Sequence, residues 1–518
     1  MPRVARGLFC SKRGGFGLRI LLAVLAAAGP VVLSEVIVRF YFGVDLLHFV
    51  PAFSDEVDYW HQALTFAHVG LSGGYYGVGP NEPVAAAGFV HFGDHGALYP
   101  VITGAFGWVF GWHLYSSVLF NIAVLGLATI FYALFAKLGV LRLILLALVL
   151  TSFWPAVDFL ASAMEETLHQ AIAVVVAAVL ARMLVGDSES SRRMALWAIP
   201  LVVISSLIRP AWALTVAPLI WLGLRPRTKS ARLGAIVAFV AACVLAEAGF
   251  SWLAAPYPGH PFAVGFENVP SVVSFAQGIW HNVRFLLSWR APSALELIQN
   301  IELLGLLTAY IVAFLLQVRR ARQSKSSGPR PGQVVPLQLW ILGSILLAAV
   351  LTYDLRLYAG YRIFAPFILM SLLITIAVSR RPWAAISVAA VNLALSGLVV
   401  TQLASIQTRH FVYDSNRLMN LQRAFNQVMP YVPGAPARCN TLLTNRIDDS
   451  DFTAVPAGIG ITYNLGTDAL PPVIHSHYLL LDDAGIRMLG ARPGFAPVST
   501  TAAGVVYENR AIICPGGS

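Results

Sequence analysis

Hydrophobic and polar positions along this chain alternate in long blocks, and the apolar blocks are long enough to cross a membrane as helices. A membrane-spanning helix needs about 20 predominantly apolar residues. We predict eleven spans over apolar runs of roughly 15 to 25 residues. In chain order these runs are 20–42, 114–136, 141–160, 168–185, 194–208, 210–224, 233–254, 296–318, 337–353, 362–379 and 383–404.

The polar links between these runs differ in the sign of their charge. If residues 1–19 are cytoplasmic, five links on the same side are short and each carries Arg or Lys, as the positive-inside rule requires. These links are 137–142, 186–193, 225–232, 319–336 and 380–382. All four lysines also fall on this side, at Lys12, Lys137, Lys229 and Lys325. The basic clusters therefore favour a transmembrane region over residues 20–405 with its acid-rich first loop, residues 43–113, outside.

Two stretches do not fit this membrane topology as simple spanning helices. The apolar run 98–112 would invert every later loop if it spanned the membrane, so we interpret it as an interfacial helix whose Trp108 and Trp112 suit the headgroup region. Residues 194–224 have basic clusters at both ends, which requires a hairpin of short helices. Arg209 then lies at or near the outer surface.

The pattern changes after residue 405. Apolar residues recur at helical spacing at Leu418, Leu421, Phe425 and Val428, and the segments 441–444, 478–481 and 505–514 are typical of strands between turns. We predict a small extracytoplasmic α/β domain over residues 406–518. Outside the cytoplasm, its Cys439 and Cys514 could form a disulfide.

Composition excludes a soluble globular protein, because 57% of the residues are hydrophobic and only 12% are charged. The mean hydropathy of +0.71 agrees with this. The formal net charge of +10 comes from basic clusters between apolar runs. Such clusters orient a membrane protein, so we expect membrane lipids and no nucleic acid as partners.

Three acidic residues begin the first outer loop, in the sequence Ser54-Asp55-Glu56-Val57-Asp58. If Ser54 caps a short helix, Asp55 and Asp58 share one face with Gln62, and Glu56 is turned away. Two carboxylates beside a bilayer can accept a proton from a hydroxyl or bind a divalent cation. They can also merely cap and solvate the start of a helix.

A second acidic site consists of Glu165, Glu166 and His169, which lie within one helical turn. This grouping offers oxygen and nitrogen ligands to a divalent cation, Mg²⁺ or Mn²⁺. The simpler interpretation is a charged helix start, which the helix dipole favours on its own.

Arginines at the predicted outer boundary form a third group. They are Arg209, Arg284, Arg290, Arg356 and Arg362. Their position runs against the positive-inside rule, and a fixed anionic ligand would explain it, because the guanidinium fork suits phosphate. Alternatively, Arg209 and Arg362 extend to lipid headgroups or pair with Asp354.

These features together resemble the GT-C glycosyltransferases, which include protein O-mannosyltransferases and lipid A aminoarabinose transferases. The stretch Asp55-Glu56-Val57-Asp58-Tyr59 is similar to that family's Asp-Glu-x-x-Tyr pattern after the first span. Gly96-Ala97-Leu98-Tyr99-Pro100 resembles the stretch that leads its juxtamembrane helix, with Gly-Ala where two prolines or His-Pro are common. The acidic link after the third span and the predicted outer C-terminal domain complete the resemblance.

The resemblance implies an inverting transfer of a sugar from a polyprenyl-phosphate-linked donor to a glycan, lipid or protein acceptor. It implies a multi-pass protein of the inner (cytoplasmic) membrane of a bacterium, with the active site on the extracytoplasmic side. Asp55 would be the catalytic base, with Asp58 as helper or substitute and Glu56 in the same motif. Arg209, Arg356 and Arg362 would bind the donor phosphate, and Glu165 or Glu166 could hold a divalent cation.

Two other functions fit a polytopic chain with a few intramembrane charges. One is a transporter or a flippase for lipids or glycans. The other is a non-catalytic assembly or polysaccharide-export factor that uses its outer domain for binding. Against transport, charged residues within the predicted spans are few, among them Glu35, Asp158 and Glu247.

Overall fold

A computed structural model describes most of the chain, in fourteen ranges. They are residues 14–49, 54–73, 77–78, 96–226, 228–253, 272–288, 294–323, 333–353, 355, 360–379, 382–403, 415–445, 449–463 and 470–515. Arg290, Arg356 and Asp354 lie outside the described residues.

Helices dominate the described part of the chain. In order they are α1 Gly14–Phe42, α2 Ser54–Val69, α3 Leu98–Phe110, α4 Ser116–Phe135, α5 Val140–Ser152, α6 Trp154–Asp158, α7 Glu166–Val185, α8 Ser188–Ser206, α9 Val216–Leu224, α10 Lys229–Leu253, α11 Val272–Leu286, α12 Ala294–Gln323, α13 Val334–Thr352, α14 Gly360–Val378, α15 Pro382–Leu403, α16 Ser415–Val428 and α17 Asp483–Leu489. Each predicted apolar run coincides with helical structure.

Six helices of the described residues are long and apolar enough to cross a membrane. They are Gly17–Phe42, Ser116–Phe135, Glu166–Val185, Lys229–Leu253, Glu296–Arg319 and Val334–Thr352. Shorter apolar helices cover Leu98–Phe110, Pro210–Leu224, Arg362–Val378 and Pro382–Gly397. These helices make the chain a helical membrane protein, whereas the count of eleven crossings remains a prediction.

The run predicted as one span over 141–160 is bent. α5 and the helical segment Trp154–Ala161 meet at 67°, and together they could form a seventh, broken span. Phe153 between them is extended, and Pro155 lies at the start of α6. Proline has no amide hydrogen and its ring crowds the preceding turn, so it starts a new helix more easily than it continues one.

α7 lies at the centre of the bundle and packs against α4 and α14. Nearly all of its side chains are buried, and many are small, among them Ala171, Ala173, Ala177 and Ala178. Small residues let helices approach closely inside a bilayer, where dispersion contacts replace the hydrophobic driving force. This close packing surrounds the N-terminal turn of α7, which carries Glu166.

α2 and α3 also pack tightly. A β-carbon on Gly104 of α3 would lie 2.6 Å from the carbonyl oxygen of Ala63 in α2. Only a glycine lets the backbones of the two helices approach so closely. The contact fixes the direction in which α2 presents Asp55.

Six strands of the described residues form one sheet. Its strands are β1 Gly77–Val78, β2 Thr441–Thr444, β3 Gly460–Tyr463, β4 Tyr478–Leu481, β5 Phe495–Thr501 and β6 Gly504–Asn509. The spatial order is β1-β3-β2-β4-β6-β5. The first four in this order run parallel, and β6 pairs antiparallel with β4 and β5.

The sequence predicted part of this sheet. β2, β4 and α16 lie where strands and a helix were predicted, but the strand predicted over 505–514 ends at Asn509. β1, β3 and β5 were not predicted. β1 belongs to the first loop, so the sheet extends beyond the predicted boundary at residue 406.

α2 is held between the membrane helices and the sheet. Val57 belongs to the same apolar cluster as Leu418, Leu421 and Phe425 of α16. Further along α2, the hydroxyl of Thr65 accepts a hydrogen bond from the amide of Gly458 at 3.1 Å. The helix that carries the first acidic site is therefore a shared element of both parts of the fold.

Candidate functional site

Four segments bring charged residues to one place. Asp55 lies in the first turn of α2, and Glu165 and Glu166 lie at the start of α7. Arg362 is in the first turn of α14, and Arg209 lies between α8 and the 3₁₀ turn that begins at Pro210. Acids at helix N-termini are favoured by the dipole, whereas a cation there is not. Arg362 therefore depends on neighbouring carboxylates.

The five residues form a continuous network, which we call the acid–arginine network. Arg362 donates from Nη1 to Asp55 Oδ2 at 2.8 Å and from Nε to Glu166 Oε1 at 2.6 Å. Arg209 donates from Nη2 to Glu165 Oε1 at 2.7 Å and to Glu166 Oε1 at 3.1 Å. Its Nη1 donates to the backbone carbonyl of Arg362 at 2.9 Å.

Exposure differs along the network. The side chains of Glu165 and Glu166 are 4% and 1% exposed and that of Arg209 is 9% exposed, against 20% for Arg362 and 29% for Asp55. The Asp55–Arg362 end therefore faces solvent, and the Arg209 end is inside. A ligand arriving from solvent would meet Asp55 and Arg362 first.

At the buried end of the network, the positive charge of Arg209 and the negative charges of Glu165 and Glu166 stabilise each other. Burial by itself disfavours the charged form of Arg209, but the carboxylates of Glu165 and Glu166 outweigh it and raise the pKa of the guanidinium. Buried charges are tolerated only when they are paired and hydrogen-bonded. Removing one partner would leave an uncompensated charge, so the members of the network depend on each other.

Glu56 has a different position from Asp55. Its Oε1 accepts a hydrogen bond from the amide of Ala163 at 2.9 Å. The hydroxyl of Tyr99 on α3 lies 2.9 Å from the carbonyls of both Ala163 and Met164 and donates toward them. The segment that leads into Glu165 is thus fixed from two sides, and Glu56 serves to place it.

Asp58 and Tyr59 lie further along α2. Asp58 Oδ1 accepts a hydrogen bond from Gln62 Nε2 at 2.9 Å, as expected for residues on one helix face. Tyr59 packs edge-on against Tyr99, with ring centroids 5.2 Å apart. Burial raises the pKa of Tyr59 well above its ordinary value, and the nearby Glu165 raises it further. The Tyr59 hydroxyl therefore stays protonated beside the network.

The predicted metal ligands are engaged by other groups. Glu165 and Glu166 accept hydrogen bonds from the arginines, and Nδ1 of His169 accepts one from Nε1 of Trp212 at 2.9 Å. Within the ranges described above, no group of three or more His, Cys, Asp and Glu side chains could hold a metal ion. Oε1 of both glutamates and Nδ1 of His169 are thus engaged in hydrogen bonds, and the metal role stays a prediction.

The remaining predicted residues lie elsewhere. Arg284 is exposed on α11, and Arg290 and Arg356 fall outside the described residues. A disulfide joins Cys439 and Cys514 in the C-terminal part of the chain. Trp212 was missed by the sequence analysis, although its position three residues after Arg209 places it beside the network.

The fold and the site define a helical membrane protein with a buried acid–arginine network at the start of α7 and α14. Comparison with protein-family models, curated proteins and solved structures finds no match.

Proposed function

We propose that this protein is a membrane glycosyltransferase that uses a polyprenyl-phosphate-linked sugar at the outer face of the membrane. One observation carries the proposal: Arg362 contacts both Asp55 and Glu166 at the exposed end of a network that is otherwise buried. A candidate base and a candidate phosphate ligand thus lie side by side. The acceptor is a hydroxyl of a glycan, lipid or protein that approaches from the aqueous side.

Arg362 is the residue we assign to the donor phosphate. Its planar fork can bind two phosphate oxygens, and it is the more exposed of the two arginines. Arg209 bonds to two carboxylates and to the backbone carbonyl of Arg362. Its role is therefore to hold Arg362 in position from the buried side of the network. The phosphate replaces Asp55 as the outer partner of Arg362.

This exchange has a consequence for Asp55. A carboxylate paired with a guanidinium is a weaker base than a free one, because the positive charge favours its ionised form. When the phosphate takes over Arg362, Asp55 loses that partner and becomes more basic. Donor binding therefore activates the base, and the acceptor is deprotonated only when a donor is present.

The transfer step is an in-line displacement. The acceptor hydroxyl gives its proton to Asp55 as its oxygen bonds to the anomeric carbon. The bond between that carbon and the phosphate oxygen breaks with inversion, and the electron pair leaves with the polyprenyl phosphate. Arg362 stabilises the charge that develops on the leaving phosphate.

The decisive experiment measures transfer from a labelled polyprenyl-phosphate sugar by purified protein. Asp55→Asn should lower the rate by about 10³-fold, within the usual range for loss of a general base. It should not weaken retention of polyprenyl phosphate, because Arg362 is retained. The matched control is Asp45→Asn, since Asp45 is a half-buried acid just after α1 that bonds only to Leu47 and His48 among the contacts described.

Two outcomes would count against the mechanism. Activity of Asp55→Asn within about threefold of wild type would remove Asp55 as the base, because loss of a base costs far more. We also expect EDTA to leave the rate unchanged, since arginines occupy the carboxylates of the second acidic site. Loss with EDTA and rescue by Mg²⁺ or Mn²⁺ would restore the metal role predicted for Glu165, Glu166 and His169.

A transporter or flippase is the second candidate function. It is favoured by the buried polar residues Asn300 and Glu302 on α12, which are costly within a membrane-spanning helix. A transporter moves its substrate only between compartments, whereas a transferase acts in detergent solution. Sugar transfer by the purified, detergent-solubilised protein would therefore favour the enzyme.

A further inference from the structure

A second set of contacts lies one helical turn away from the acid–arginine network and joins three of its four segments. Trp212 follows Arg209 by three residues, His169 follows Glu165 by four, and Phe367 follows Arg362 by five. The indole Nε1 of Trp212 lies 2.9 Å from His169 Nδ1. The Trp212 ring also stacks on Phe367, with centroids 5.3 Å apart and an interplanar angle of 25°.

The hydrogen bond from Trp212 determines the tautomer of His169. An indole nitrogen is only a donor, so Nδ1 of His169 must be the acceptor. In the neutral ring the proton is then on Nε2, which lies 3.2 Å from Glu165 Oε1. Nε2 of His169 is therefore in close contact with the same carboxylate oxygen that accepts from Arg209 at 2.7 Å, although the geometry of this contact is not that of a hydrogen bond.

Burial makes this arrangement rigid. His169 and Trp212 are fully buried, and Glu165 is almost so. Water does not compete for the hydrogen bond from Trp212, and a flip of the imidazole would replace Nδ1 by the Cδ2–H group, which cannot accept that bond. The Trp212–His169 pair thus restricts the position of the Glu165 carboxylate, which lies between His169 and Arg209.

We propose that Trp212 and His169 are positioning residues that set the location of Arg362 through Glu165 and Arg209. The chain of contacts runs from Trp212 to His169, to Glu165, to Arg209 and to the backbone carbonyl of Arg362. This inference depends on the proposed function, in which Arg362 binds the donor phosphate. It gives His169 a role that leaves no lone pair for a metal while the bond to Trp212 is intact.

The test uses three variants and a matched control in the full-length purified protein. Trp212→Phe keeps the stacked ring and removes the donor, His169→Leu removes both contacts, and His169→Gln retains one acceptor and one donor. Trp221→Phe is the control, because Trp221 is an exposed tryptophan on α9. Retention of polyprenyl phosphate and the kcat/KM for the labelled sugar donor are measured for each.

We expect kcat/KM to fall about tenfold in Trp212→Phe and about a hundredfold in His169→Leu, the size of effect that a misplaced binding group produces. His169→Gln should stay within about threefold of wild type because it can restore both contacts, and Trp221→Phe should be unchanged. Retention of polyprenyl phosphate should fall in the same order. Equal values for His169→Leu, His169→Gln and wild type would overturn the proposal.

A spectroscopic measurement separates this proposal from the proposed function. In protein labelled with ¹⁵N-indole tryptophan, the resonance of Trp212 is the one that Trp212→Phe removes. It should move in His169→Leu and stay in place in Trp221→Phe, whether or not the protein transfers sugar. If wild type transfers no sugar, the proposed function fails, and an unmoved Trp212 resonance in His169→Leu rejects the contact chain independently.

Discussion

Burial keeps the side chain of one residue, His61, uncharged on α2, the helix that carries the first acidic site. His61 is fully buried on α2, and its Nε2 lies 3.4 Å from the carbonyl of Pro456. Burial lowers the pKa of His61 to about 4. The ring is therefore neutral at neutral pH and directs its N–H to the carbonyl of Pro456.

This shift predicts a pH dependence of stability. The unfolded chain binds a proton near pH 6.5 and the folded protein only near pH 4, so the contribution of neutral His61 is complete above about pH 6.5 and is lost as the pH falls toward 4. The loss amounts to about 3 kcal/mol. It is measured as the difference in thermal midpoint between wild type and His61→Gln across this range.

His61→Gln keeps an N–H donor for Pro456 but does not titrate in this range. Its thermal midpoint should therefore fall less steeply than that of wild type below pH 6.5. His281→Gln, an exposed site on α11, is the control and should follow wild type. Identical pH profiles for wild type and His61→Gln would contradict the assignment.

At the scale of elements, the contact between α2 and α3 decides where the acids point. Tyr59 on α2 packs against Tyr99 on α3, and Tyr99 in turn donates to the segment before α7. Gly104 permits this approach because the Ala63 carbonyl occupies the space of a side chain. A change in the packing of α2 against α3 would therefore displace Asp55 and Glu165 together.

Gly104→Ala tests this contact directly. The added β-carbon would lie 2.6 Å from the Ala63 carbonyl oxygen and 2.9 Å from Cβ of Phe66, so the helices must separate. We expect a loss of about 2 kcal/mol in stability, typical of overpacking. Thermal unfolding in detergent measures it.

Gly126→Ala on α4 is the matched control, because nothing lies within 4 Å of its added β-carbon. That change should be neutral or stabilising by up to about 1 kcal/mol, since alanine favours a helix more than glycine does. If both variants behaved alike, the close approach of α2 and α3 would not be a constraint on the fold.

At the scale of the whole molecule, the sheet and the membrane helices meet at α2. β1 from the first loop pairs with β3, and the Tyr431 hydroxyl donates to the carbonyl of Ser72 at 3.2 Å. The sheet must therefore lie on the same side of the membrane as Asp55. The distribution of basic links predicts that this side is extracytoplasmic.

Cysteine labelling on a Cys10→Ser, Cys243→Ser background tests this orientation. Val473 is exposed in the sheet region, and Thr228 is exposed in the link before α10. With a membrane-impermeant maleimide, Val473→Cys should react in intact cells, whereas Thr228→Cys should react only after permeabilisation. The reverse pattern would place the acid–arginine network on the cytoplasmic side and exclude an outer-face transferase.

The sequence by itself determined the long apolar helices, three of the strands (with the end of β6 misplaced) and the residue types of the candidate site. Blocks of apolar residues identify membrane helices because a bilayer leaves the backbone no other way to satisfy its hydrogen bonds. Charge is costly beside a membrane, and this identified five candidate residues, namely Asp55, Glu165, Glu166, Arg209 and Arg362. Local spacing also placed Asp58 and Gln62 on one face of α2.

Only the tertiary structure decided which of these residues meet. Arg362 and Asp55 are 307 positions apart in the chain, and no local pattern pairs them. The partner of His169 is Trp212, 43 positions away, where a helical-turn argument suggested a metal. Such contacts depend on the packing of α2, α7 and α14, and hydrophobic periodicity gives the length and type of a helix but not its neighbours.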